Sequence, residues 1–202
     1  MKILLTGASS GVGKELFSIL SSQHTVDAPL RSQLDLSNID QITGWVNQSY
    51  DVLIHCAGTG IGGKIDFLNH ESHYVKEILQ TNFLSVVLLS QQVLKINPEC
   101  KIIIITSTNN NRYWPNDLAY SLSKKSLEIF GQMLLVECPH TNYLEVRLGL
   151  TKTDFNNNRY KENQERFSDI YSTNDYLESN TVAQKIVDII FDNRIKFIEI
   201  SP

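Results

Sequence analysis

Short apolar runs rich in β-branched residues recur along the chain, and stretches of helical periodicity separate them. Lys2–Leu5, Thr25–Ala28, Asp51–His55, Lys101–Thr106, Tyr143–Leu148 and Phe197–Ile200 read as strands. Ile102–Ile105 shows no polar alternation, the pattern of a parallel strand covered on both faces. Residues 13–22, 37–47, 71–96, 117–137 and 181–192 carry apolar side chains at helical spacing, with Ser37 and Thr181 as starting signals. This alternation predicts an α/β protein: a doubly wound parallel sheet of six to seven strands, in one domain over residues 1–202.

Residues 156–180, NNNRYKENQERFSDIYSTNDYLESN, break the pattern, being polar and nearly devoid of aliphatic side chains. They read either as a lid over a substrate cleft or as a short solvated helical insertion. The cleft itself is expected from residues 59–67, 108–117 and this lid, with Tyr113 and Trp114 available to stack on a ring.

Composition narrows the function classes. The chain has 202 residues, 42 % of them hydrophobic, enough for a substantial core. Its net charge of −4 comes without any basic run, which argues against a nucleic-acid partner. Cys56, Cys100 and Cys138 are odd in number, widely spaced and unaccompanied by histidine pairs at ligand spacing, so neither a disulfide framework nor a metal site is expected. The apolar run of MKILLTG is too short for a secretory leader, and nothing approaches membrane-spanning length. A soluble cytoplasmic protein without a membrane partner is expected.

Two motifs carry chemistry. LLTGASSGVGKEL places Gly7, Gly11 and Gly13 at the junction of the first strand and first helix. Such a turn lets a pyrophosphate approach unpaired amides at the positive end of the helix. AYSLSKKSLE sets Tyr120 and Lys124 one helical turn apart, where a phenol and an ammonium share one face.

The motif TGASSGVG resembles the fingerprint of the short-chain dehydrogenase/reductase family. HCAG, His55–Gly58, is similar to the NNAG of that family, with His55 and Cys56 read as packed residues. Asn82 matches its helix asparagine, and Ser107 precedes Tyr120 by the family's 13 residues. Lys124 completes Tyr-x-x-x-Lys, and Gly149 with Thr153 resemble the PG-x-x-x-T segment, Leu148 replacing the proline.

The resemblance implies a Rossmann-type fold and a catalytic set of Asn82, Ser107, Tyr120 and Lys124. It implies hydride exchange between a nicotinamide and a small polar carbonyl or secondary alcohol. Ser107 would hold the substrate oxygen, Tyr120 would move its proton, Lys124 would acidify Tyr120 and bind the nicotinamide ribose, and Asn82 would hold a water. Cofactor contacts are expected from Gly7, Ser9, Ser10, Gly11, Val12, Gly13, Cys56, Ala57, Gly58, Tyr120, Lys124 and Thr153. A homodimer or homotetramer through the helices within 71–96 and 117–137 is also implied.

One stretch departs from the family pattern. Between TVDA and LDL there is no room for the usual helix between the second and third strands. Here the chain is similar to dTDP-4-dehydrorhamnose reductases, which places Asp35 and Leu36 at the adenine pocket. Asp27 falls within the second strand, while Arg31 and Ser32 follow it. A guanidinium suits a 2′-phosphate, so NADP(H) is favoured over NAD(H). Two rival readings remain: a sugar-nucleotide epimerase or dehydratase, and a nonenzymatic NADP-binding redox sensor.

Overall fold

The computed structural model describes residues 1–111, 114–161 and 170–202. Tyr113, one of the two aromatics expected at the cleft, lies outside the described residues, as does the middle of the expected lid.

Six parallel strands form the sheet: β1 (Lys2–Thr6), β2 (Thr25–Asp27), β3 (Val52–His55), β4 (Lys101–Ser107), β5 (Asn142–Leu148) and β8 (Phe197–Ile200), in spatial order β2-β1-β3-β4-β5-β8. A separate parallel pair joins β6 (Thr151–Lys152) to β7 (Leu177–Glu178). The helices are α1 (Gly11–Leu20), α2 (Ile39–Ile42), α3 (Ser72–Leu79), α4 (Ser85–Ile96), α5 (Leu118–Glu137), α6 (Asp154–Arg159) and, in our numbering, α7 (Ser179–Val187).

The two-residue period of the strands divides the core. Ile3, Leu5, Ile54, Ile103, Ile105 and Val146 face Leu16 and Leu20 of α1 and Val182 and Ile186 of α7. Leu4, Leu53, Ile102 and Ile104 face Leu89 and Val93 of α4 and Leu127 and Leu134 of α5. With apolar side chains on both faces, β4 has no solvent side, which is why its isoleucine run lacks alternation. Gly131 lets α5 lie directly on Tyr143 of β5, whose ring would overlap any Cβ there.

Three local expectations are corrected. Leu34–Leu36 is not a strand: Leu34 enters the core, Asp35 sits in a turn, and β2 ends the sheet. The loss at this edge is therefore of an outer strand as well as its crossover helix. The helix expected over 37–47 shrinks to α2, because Thr43 turns extended and Gly44 takes a left-handed φ of 76°. The helix expected over 71–96 divides into α3 and α4 at one turn of π-helix, Gln80–Leu84. Among the described residues no helix is long and apolar enough to cross a membrane.

Candidate active site

A cavity of about 980 Å³ opens along the C-terminal ends of the parallel strands, where open α/β sheets bind ligands. At one side lies the glycine turn, with Gly7, Ser9, Ser10, Gly11, Val12 and Gly13 all in the wall. Gly7 has a φ of 77° and its backbone lies against Ala57, while a Cβ on Gly13 would overlap the Gly7 carbonyl oxygen. The Ser10 side chain makes no cap to α1, so the first amides of this helix have no internal partner there. These residues fit a dinucleotide's pyrophosphate.

Beyond β2, Arg31, Asp35 and Leu36 line the same cavity, and exposed Ser32 does not. The Arg31 guanidinium donates to Asp35 at 3.3 Å and to Ser37 at 3.4 Å, and pairs with Glu77 at 3.6 Å. Burial alone would raise the Asp35 pKa, but hydrogen bonds from Ser37 and the charge of Arg31 leave it lowered. Asp27 closes β2, and its carboxylate accepts from Gln48 at 2.6 Å and from Tyr50 at 2.9 Å, away from the cavity wall.

Cys56, Ala57 and Gly58 extend β3 into the cavity floor, and Thr153 packs against Gly11. Burial pushes the Cys56 thiol up to about 11 against the pull of Lys124, so it stays protonated. His55 is buried beneath, 3.0 Å from Ser90 Oγ; burial, helped by Lys124, lowers its pKa to about 3. Both therefore act as packed residues.

Of the four expected catalytic residues, Tyr120 and Lys124 line the cavity and Ser107 and Asn82 do not. Tyr120 and Lys124 project from the first turns of α5 into the cavity, and Ser107, ending β4, lies near enough to the Tyr120 phenol to favour its ionised form. Lys124, only 6 % exposed, donates to the Ile105 carbonyl at 3.0 Å, and desolvation lowers its pKa to about 8. Asn82 lies behind the wall in the π-turn. It accepts from Thr59 N at 2.7 Å and donates to Thr59 O at 2.8 Å and Ser123 Oγ at 3.1 Å. Its amide thus clamps the segment after β3 to α5, where the family resemblance implied a water ligand.

The electrostatics of Tyr120 differ from expectation. The phenol pKa is raised overall, where an acidified phenol was expected: burial raises it most, Arg159 and Ser107 lower it only in part, and Asp117 and Tyr160 raise it further. Arg159 stands 4.6 Å from the Tyr120 ring centroid, and Lys124 Nζ is at 6.0 Å. Of these two cations the closer to the ring is Arg159, which the sequence did not single out. It pairs with buried Asp117, 42 positions earlier, and no local spacing signals that contact.

A family model described as short chain dehydrogenase matches residues 30–164. A 3-ketodihydrosphingosine reductase of Bacteroides thetaiotaomicron is 31 % identical, covering 92 % of this chain and 75 % of the relative. The chain belongs to the short-chain dehydrogenase family. An NADP-dependent 3-hydroxy acid dehydrogenase of Schizosaccharomyces pombe is 25 % identical over 92 % of this chain and 85 % of its own. Among solved structures, a serine dehydrogenase complexed with NADP+ superposes with a TM-score of 0.86 at 18 % identity, covering 99 % of this chain and 94 % of that one. A 4-hydroxyisoleucine dehydrogenase complexed with NADH gives 0.81 at 21 % identity, covering 99 % and 96 %. As a short-chain dehydrogenase the chain is an NAD(P)-dependent oxidoreductase acting on CH–OH or C=O groups.

Proposed function

We propose that this short-chain dehydrogenase interconverts a small polar carbonyl compound and its secondary alcohol with NADP(H), using Tyr120 as the proton carrier. The observation that carries the reading is that Tyr120 and Lys124 line the same cavity as the glycine turn, with Ser107 beside the phenol. When bound, the nicotinamide supplies or accepts the hydride.

The residues divide the remaining work. Tyr120 donates a proton to the substrate oxygen in reduction and accepts it in oxidation. Ser107 bonds the same oxygen and stabilises the negative charge that develops on it. Lys124, fixed by Ile105, is placed to bond the nicotinamide ribose, and Arg159 favours the phenolate form of Tyr120. Asn82 keeps the cavity floor in register with α5. The reading of residues 156–180 as a substrate lid rests on their polar sequence, and at its start Asn156 of α6 donates to Tyr171 OH at 2.8 Å.

Arg31 at the cavity edge and the engagement of Asp27 elsewhere support NADPH. The NADP dependence named for the Schizosaccharomyces pombe relative points the same way, although the 4-hydroxyisoleucine dehydrogenase holds NADH. Exposed Leu122, Ile129, Met133 and Val136 share a stripe along α5, which supports a homo-oligomer, to be checked by light scattering.

The test is Tyr120→Phe. NADPH affinity should be kept while turnover on a panel of ketones, keto acids and keto-sugars falls by orders of magnitude; full turnover removes Tyr120 from this role.

A further inference from the structure

Arg159 is 7 % exposed and in the cavity wall, yet its Nε has no hydrogen-bond partner. A buried guanidinium with an unused donor is costly unless something else satisfies it. Asp117 satisfies only part of the group: one oxygen takes Arg159 Nη2, and the other accepts from Asn109 at 2.8 Å. The same carboxylate also feels the charges of Lys64 and His70, so several basic groups surround one acid. His70 Nε2 is a second buried nitrogen without a partner. Lys64 and Lys161 line the cavity beside Arg159.

The placement relative to the chemistry is specific. The guanidinium centre is 4.6 Å from the Tyr120 ring centroid, while Asp117 fixes its orientation. A carboxyl carbon one methylene from a reacting carbon lies about 2.5 Å from it, by ordinary bond lengths. A substrate oxygen on Tyr120 thus leaves a nearby carboxylate within reach of Arg159. Planar guanidinium forks match carboxylates with two parallel bonds.

We propose that Arg159, with Lys64 in the same cavity wall, binds the carboxylate of the substrate, making the preferred substrates short hydroxy acids and their oxo acids. The inference deepens the oxidoreductase reading above and rests on it for the position of the reacting carbon. Asp117 serves as the positioning residue that aims the guanidinium.

The experiment has two arms. In the first, calorimetry measures malonate binding to the NADPH-bound protein. Wild type should bind it at least ten times more tightly than Arg159→Gln, with Arg159→Lys between them. Absent binding, or equal binding by wild type and Arg159→Gln, overturns the proposal. In the second, kcat/KM is compared for matched 2-oxo and 3-oxo acids and their methyl esters. Wild type should favour the acids, and Arg159→Gln should abolish that preference through KM. Esters turned over as well as acids by wild type overturn it. Should Arg159→Gln fail to bind NADPH, the wild-type acid-to-ester ratio decides alone. Malonate binding without turnover of any carbonyl compound would support the anion site and defeat the oxidoreductase reading, so the two failures are distinguishable.

Discussion

Lys124 Nζ donates to the carbonyl of Ile105 at 3.0 Å, tying the first turns of α5 to the end of β4 two residues before Ser107. This contact holds the tyrosine-bearing helix and the serine-bearing strand in one frame. It also buries an ammonium, whose pKa falls from 10.5 to about 8 through desolvation. Between these two pH values the unfolded chain binds the proton more than the folded one does. Stability from this group therefore rises with pH across that window, and below it the full penalty of about 3 kcal/mol applies. Lys124→Met should abolish activity, and its stability relative to wild type should fall steadily as pH rises from 8 to 10.5. Urea unfolding at a series of pH values reads this difference. A difference independent of pH would show that Lys124 is not titrating as a buried group.

Asn82 satisfies three partners from inside the π-turn, and among the described residues no other side chain connects residue 59 to Ser123 in the same way. Asn82→Ala leaves partly buried backbone groups of Thr59 unpaired, a loss of at most about 1–3 kcal/mol. The expected outcome is a lower denaturation midpoint together with a lower kcat, because the floor beside Lys124 shifts. Asn82→Asp should be no better, since it lacks the two N–H donors. Unchanged stability in Asn82→Ala would mean that water replaces the amide without penalty.

Arg31 is 71 % exposed on its side chain, so its links to Asp35 and Glu77 contribute little to stability. Its consequence should be in cofactor choice. Arg31→Ala should weaken NADPH binding by about tenfold or more and leave NADH nearly unchanged, as expected for a charge-assisted phosphate contact. Fluorescence titration with both cofactors measures this. A wild-type preference for NADH rejects the assignment.

Elements with strong periodicity were legible in the sequence: β4 through its unbroken isoleucines, and α5 as a long continuous helix, observed as Leu118–Glu137. The glycine turn was equally plain, because steric demands at Gly7 and Gly13 admit few other residues. Less legible was the stretch after β2. LDL has strand-like composition, but Leu34 turns inward against α2 and α4 while Asp35 is held by Ser37, so no ladder forms. The division of the 71–96 helix was also hidden, since a π-turn preserves apolar content while changing the facing of Asn82. Arg159 was missed for a different reason: its importance comes from a long-range pair with Asp117, and a single arginine in an asparagine-rich segment has no spacing signature.

His55 shows how a substitution at a conserved-looking motif position can set acid sensitivity. It stands where the resembling family motif has asparagine, fully enclosed, with Ser90 as its polar partner. Its pKa falls from 6.5 to about 3, first through burial and then through the charge of Lys124. Between those values the unfolded chain binds the proton and the folded chain does not, so stability drops as pH falls through the window. The loss reaches up to about 5 kcal/mol at its lower end. His55→Asn keeps a polar group for Ser90 and removes the titration. Its acid-unfolding midpoint, followed by circular dichroism, should lie at lower pH than that of wild type, even where its stability at neutral pH is slightly reduced. Lys124→Met, by removing a nearby positive charge, should shift the same midpoint by less. Coincident acid midpoints for wild type and His55→Asn would show that this histidine is not held neutral by the fold.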